Sequence, residues 1–155
     1  MAREVERKFV LSDRPGDLEQ HPSSSLMQGY LALDPAGAEV RVRRDDGTAT
    51  LTIKTGEGLV RGEEEIVLEP SVFDALWPLT DGRRTVKRRY RVPLGDGLTA
   101  EVDDFADDLA GLLTAEVEFP DEATALAWEP PAWLGREVTG DPRYANRVLA
   151  VDGRP

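Results

Sequence analysis

The 155-residue chain contains no cysteine, which excludes disulfides and thiolate metal sites. It has a single histidine, His21, beside Pro22 in a polar loop where a solvated side chain is expected. No apolar run approaches the roughly 18 residues of a membrane-spanning helix. Base is not in excess either: 30 acidic residues against 19 basic leave a net charge of −11. That balance disfavours nucleic acid and anionic membrane as partners, because their phosphates demand a basic face. A small anionic ligand stays open, provided the basic side chains are gathered in one place. Internal repeats and low-complexity tracts are missing. The charged amino terminus has no apolar signal region, so the expected location is cytoplasmic. Aromatics are few, and Trp77, Trp128 and Trp133 fall in or near expected helices. There they read as packing residues and not as platforms for a nucleobase.

What is present is a chain 40% hydrophobic, with Val, Leu and aromatics spread along its length. One domain spanning residues 1–155 with its own core is expected. Strand signals fall at 3–11, 28–33, 39–44, 48–55, 61–69, 84–94, 98–105 and 113–119. Asp46-Gly47 and Gly95-Asp96-Gly97 are tight hairpin signals, so the pairing is antiparallel. Ser23-Ser24-Ser25 reads as a polar loop. Helices are expected over about 71–79, 120–129 and 142–150, the last opened by the Asp141-Pro142 capping pair.

Splitting each strand by parity separates a charged face from an apolar one. Glu4, Glu6 and Lys8 oppose Val5 and Phe9. Arg41 and Arg43 oppose Val40 and Val42, and Thr50, Thr52 and Lys54 oppose Leu51 and Ile53. Glu63 and Glu65 oppose Ile66 and Leu68. Lys87, Arg89 and Arg91 oppose Val86, Tyr90 and Val92. Glu101 and Asp103 oppose Ala100 and Val102, and Glu116 and Glu118 oppose Val117 and Phe119. Arg7, Arg44, Arg88 and Glu64 have the opposite parity and are excluded from any site.

An open antiparallel sheet with one solvated side gives the same alternation. Here, however, the charges are largely segregated by sign from strand to strand, and an open eight-stranded sheet must manage two edges. The expected fold is therefore α+β, mainly β: a closed eight-stranded antiparallel barrel with a charged lumen and a few flanking helices. Such an interior is costly unless its charges are paired, hydrated or matched by a ligand. Interior Arg and Lys suit a polyanion, and clustered carboxylates suit a hard divalent cation.

Glu4-Val5-Glu6-Arg7-Lys8 resembles the ExExK signature of the CYTH superfamily, the triphosphate tunnel metalloenzymes. The resemblance continues through Gln28-Gly29-Tyr30, Val40-Arg41-Val42-Arg43, Leu51-Thr52-Ile53-Lys54, Glu63-Glu64-Glu65, Lys87-Arg88-Arg89-Tyr90, Glu101-Val102-Asp103 and Ala115-Glu116-Val117-Glu118-Phe119. It is strongest toward the compact bacterial members that hydrolyse inorganic tripolyphosphate. It implies a tunnel in which Arg41, Arg43, Lys54, Lys87 and Arg89 hold phosphate oxygens. Glu4, Glu6, Glu116 and Glu118 would bind Mg²⁺ or Mn²⁺, with Glu63, Glu65, Glu101 and Asp103 as further tunnel carboxylates. Lys8 and Tyr30 match a pair proposed to activate water. Cations around Lys8 favour a base and the glutamates oppose it, so base, orienter and phosphate clamp all remain open for that residue.

The expected partner is a small anionic triphosphate, and the expected state a monomer or homodimer. Nucleoside or thiamine triphosphatase and adenylate cyclase chemistry are alternatives within the superfamily. A noncatalytic polyphosphate-binding module is the alternative outside it.

Overall fold

The computed structural model describes residues 5–55 and 62–155, so Glu4 and the expected loop at 56–58 lie outside the described residues. The strands are β1 Val5–Val10, β2 Ser23–Leu33, β3 Glu39–Asp45, β4 Thr48–Thr55, β5 Gly62–Leu68, β6 Arg84–Gly95, β7 Leu98–Phe105, β8 Leu113–Phe119 and β9 Arg136–Glu137. The helices are α1 Pro70–Leu76, α2 Glu122–Ala127 and α3 Asn146–Asp152, with 3-10 turns at Trp77–Thr80 and Pro142–Tyr144 among others. Hence the helix expected at 71–79 is an α-helix continued as a 3-10 turn, and the closing helix is a 3-10 turn followed by α3.

The strands form one sheet in the order β5-β4-β3-β2-β6-β7-β8-β1-β9, and every pairing is antiparallel. The sheet is not closed, which corrects the expected barrel. Closure would require β5 to pair with β1, yet β5 pairs only with β4 among the described residues. The outer side of β1 is instead met by β9, at Phe9–Glu137 and Val10–Arg136. Charge opposes closing the seam. Glu63, Glu64 and Glu65 are exposed along β5, and Glu6 is exposed on β1. Joining the two strands would set carboxylates beside carboxylates, which destabilises a ladder. Consecutive charges on an edge also discourage pairing with other chains.

Ser23-Ser24-Ser25 is strand and not loop, because these residues pair with Tyr90, Arg89 and Arg88 of β6. The partner strand overrides a weak local preference. Farther along β2, Gly29 is required by packing: a Cβ there would meet the Thr80 side chain at 2.5 Å.

The apolar face is covered in two patches. Around β1, β7 and β8, Phe9, Val102, Ala115, Val117 and Phe119 bury against Ala125, Trp128, Trp133 and Leu134. Around β3 and β4, Val42 and Ala49 bury against Phe73 of α1. Arg7 and Arg44, set aside by parity, are found on this face. Arg7 donates to the carbonyls of Ala125 and Trp128, both at 2.8 Å, and pairs with Glu137. The Arg44 guanidinium lies 5.0 Å from the centre of the Phe73 ring.

A third apolar cluster joins Phe105, Leu109 and Leu112 to Val138, Tyr144 and Leu149. Phe105 follows Glu101 and Asp103 at two-residue spacing, so it belongs to their face of β7. The segment from Val138 to α3 therefore folds across one end of the charged face. It gives that end an apolar floor.

Candidate active site

The charged face is densest where β6 and β7 pair, with Arg89 opposite Asp103 and Arg91 opposite Glu101. Asp103 accepts two bonds from Arg89, Nε at 2.8 Å and Nη2 at 2.9 Å. It also pairs with the Lys87 ammonium at 2.7 Å, and Arg89 reaches Glu101 at 2.7 Å. Burial opposes the charge on Asp103, but Lys87 and Arg89 outweigh it and hold its pKa below the ordinary aspartate value. For Lys87, burial pushes the pKa down, Asp103 opposes that shift and Arg89 adds to it. The Lys87 ammonium also donates to Asn146 Oδ1 at 3.2 Å and faces the Phe105 ring.

On β1, Lys8 sits opposite Glu116. Its ammonium pairs with Glu116 at 3.4 Å and donates to the Tyr144 carbonyl at 2.5 Å. Glu6 lies directly opposite Glu118, and both are exposed. Like charges in register cost stability, and carboxylates are the groups that would hold a hard divalent cation. Glu101 and Glu118 share a cleft of about 700 Å³ with Arg91. Among the described residues no three carboxylates converge as a ready-made metal cage. The donor set nevertheless fits Mg²⁺, which is usually held by one or two carboxylates plus substrate phosphates and water.

A second cleft, of about 480 Å³, is lined by Arg41, Arg43, Asp45, Thr50, Thr52 and Glu65. These side chains come from β3, β4 and β5 through the register Arg41–Thr52–Glu65. Arg41 lies 3.6 Å from Glu39, yet its buried Nε has no hydrogen-bond partner among the described residues. Arg43 makes no ion pair with a described residue within 4.0 Å. Its pKa is lowered, first by burial and then by Arg89 and Arg41. Unsatisfied buried donors and mutually repelling cations are unfavourable alone and favourable around an anion.

Lys54 faces Glu63 across β4 and β5. Tyr30 is fully buried, and its hydroxyl accepts from Gln28 Nε2 at 2.9 Å. Burial raises its pKa and so keeps the phenol neutral; the charge of Arg41 is the largest opposing influence. Lys8 and Tyr30 thus engage different partners and form no pair here. Glu39 and the Tyr144 carbonyl are additions to the sequence-derived set. Glu39 has the parity of Arg41 and was findable; the Tyr144 carbonyl has no side-chain signature.

No family model matches the chain. It is 44% identical over 149 residues to an inorganic triphosphatase of Nitrosomonas europaea, covering 96% of this chain and 97% of that one. It is 35% identical over 153 residues to an inorganic triphosphatase of Acetivibrio thermocellus, covering 96% and 94%. The crystal structure of an inorganic triphosphatase superposes with a TM-score of 0.83 at 40% identity, over 97% of this chain and 96% of that one.

Proposed function

We propose, from the premise that the chain belongs to the inorganic triphosphatases of the CYTH superfamily, that it hydrolyses inorganic tripolyphosphate to pyrophosphate and phosphate. The observation that carries the reading is the cleft on β3 and β4. There a buried Arg41 donor is unsatisfied, and Arg43 stands beside two other arginines. A chain of phosphates supplies acceptors for all of them.

In this reading Arg41, Arg43 and Arg89, with Lys54 and Lys87, hold the phosphate oxygens. The anion is thereby lined up for attack on a terminal phosphorus. A water oxygen bonds to that phosphorus, the bond to the bridging oxygen breaks, and the water proton is released. Lys8, held between Glu116 and the Tyr144 carbonyl, orients the water. Tyr30, a neutral phenol tied to Gln28 beside Arg41, steadies the arginine wall. Glu6, Glu116 and Glu118, with Glu4, would hold Mg²⁺ or Mn²⁺, and Glu63, Glu65 and Glu101 extend the acidic rim. When bound, the cation supplies Lewis-acid neutralisation of phosphate charge.

The cleft on β3 and β4, which carries the cationic wall, is lined by charged and small polar side chains with no aromatic among them. That lining favours an inorganic substrate over a nucleotide or thiamine ester. The discriminating experiment compares kcat/KM for tripolyphosphate, ATP and thiamine triphosphate. Tripolyphosphate is expected to lead by at least about tenfold, a difference of about 1.4 kcal/mol in transition-state stabilisation. A larger value for either organic substrate, or cyclic AMP from ATP, would move the assignment to that chemistry.

A further inference from the structure

Both lysines bordering the apolar floor are held by uncharged acceptors from one segment: Lys8 by the Tyr144 carbonyl and Lys87 by Asn146 Oδ1. An ammonium has three donors and no acceptor, so only the amide oxygen can face it, which fixes the orientation of Asn146. The charges nearby are already matched. Lys87 and Arg89 share Asp103, Arg89 also pairs with Glu101, and Lys8 pairs with Glu116. A carboxylate at position 146 would therefore make this part of the site net acidic. An aliphatic residue would leave the buried Lys87 with one acceptor fewer.

We infer that Asn146 is a positioning residue for triphosphate binding: it holds the Lys87 ammonium through a neutral acceptor, so that the lysine stays fixed without being neutralised a second time. The inference rests on the proposed substrate class. Asn146→Asp keeps the shape and an oxygen acceptor toward Lys87 while adding a charge and removing the amide N–H donors, and the uncharged Ala and Ser variants separate loss of positioning from added charge.

The test is titration calorimetry of inorganic tripolyphosphate into the full chain in EDTA, where turnover is expected to stop, alongside kcat and KM with Mg²⁺, for wild type, Asn146→Asp, Asn146→Ala and Asn146→Ser. Setting the separation at about 8 Å for the arithmetic, one added charge weakens binding of a unit anionic charge about thirtyfold at an effective dielectric of about 20. Asn146→Asp is expected to lose about that much and to raise KM, whereas Asn146→Ala loses only a few-fold and Asn146→Ser stays near wild type. Asn146→Asp binding like wild type, or no more weakly than Asn146→Ala, overturns the inference. If the Asp variant does not fold, Ser and Ala decide: equal affinities overturn it, and retention by Ser alone supports it. Wild-type protein that binds tripolyphosphate without releasing phosphate when Mg²⁺ is present would sink the hydrolase reading, while the affinity series still decides the role of Asn146.

Discussion

Lys87 and Asp103 form an ion pair of 2.7 Å with side chains only 4% and 1% exposed, on the charged face of an open sheet. A solvated face would leave such a pair wet; here the segment running to α3 and the flanking strands exclude water. Removing one partner of a buried pair strands the other charge, at a cost of about 3–5 kcal/mol. Asp103→Asn is therefore expected to lose about that much stability at neutral pH.

The same residue sets an acid limit. The folded pKa of Asp103 is depressed, so its stabilisation is complete above the ordinary aspartate value of about 3.9 and is lost as pH falls through the lower folded value. Urea unfolding of wild type across that range is expected to show stability falling toward acid. The fall is expected to be shallower in Asp103→Asn; equal slopes would remove Asp103 from the account.

Arg43 exchanges stability for function. It is half-buried, depressed by burial, and repelled by Arg89 and Arg41. Arg43→Met is expected to raise the melting temperature of the ligand-free protein, by about 2–4 °C for each kcal/mol gained. It is also expected to weaken tripolyphosphate binding at least about tenfold, through loss of a charge-assisted hydrogen bond. A lower melting temperature with unchanged affinity would make Arg43 a structural residue.

Lys8→Ala separates orientation of water from grip on phosphate. With Lys8 acting on the water, kcat is expected to fall about a hundredfold or more while KM stays within a few-fold. A rise in KM at constant kcat would make Lys8 a phosphate clamp.

The opposite face provides the control. Arg7 ties β1 to the α2 region through Glu137 and the carbonyls of Ala125 and Trp128. Arg7→Ala is expected to cost about 1–3 kcal/mol in denaturant unfolding, for the unsatisfied groups left behind. Its kcat and KM are expected to match wild type.

Face assignment was legible because side chains alternate with a period of two. Parity placed Lys87, Arg89 and Asp103 together and set Arg7 and Arg44 apart. Closure was not legible: alternation is identical in an open sheet, and the deciding facts are the acidic β5 edge and the pairing of β9 with β1. The floor was equally hidden. Phe105, Val138, Tyr144 and Leu149 meet only through long-range packing, and the bond from Lys8 ends on a main-chain carbonyl. The start of β2 at Ser23 depended on Tyr90 of a strand more than sixty residues away.

The central claim is that paired carboxylates and cations on one sheet face hydrolyse inorganic triphosphate with a divalent cation. Its most direct measurement is product analysis of tripolyphosphate incubated with purified protein and Mg²⁺ or Mn²⁺, with and without EDTA. The expected result is one pyrophosphate and one phosphate per substrate, ended by EDTA and restored by excess metal. No phosphate release with either metal, or release undiminished by EDTA, would contradict it.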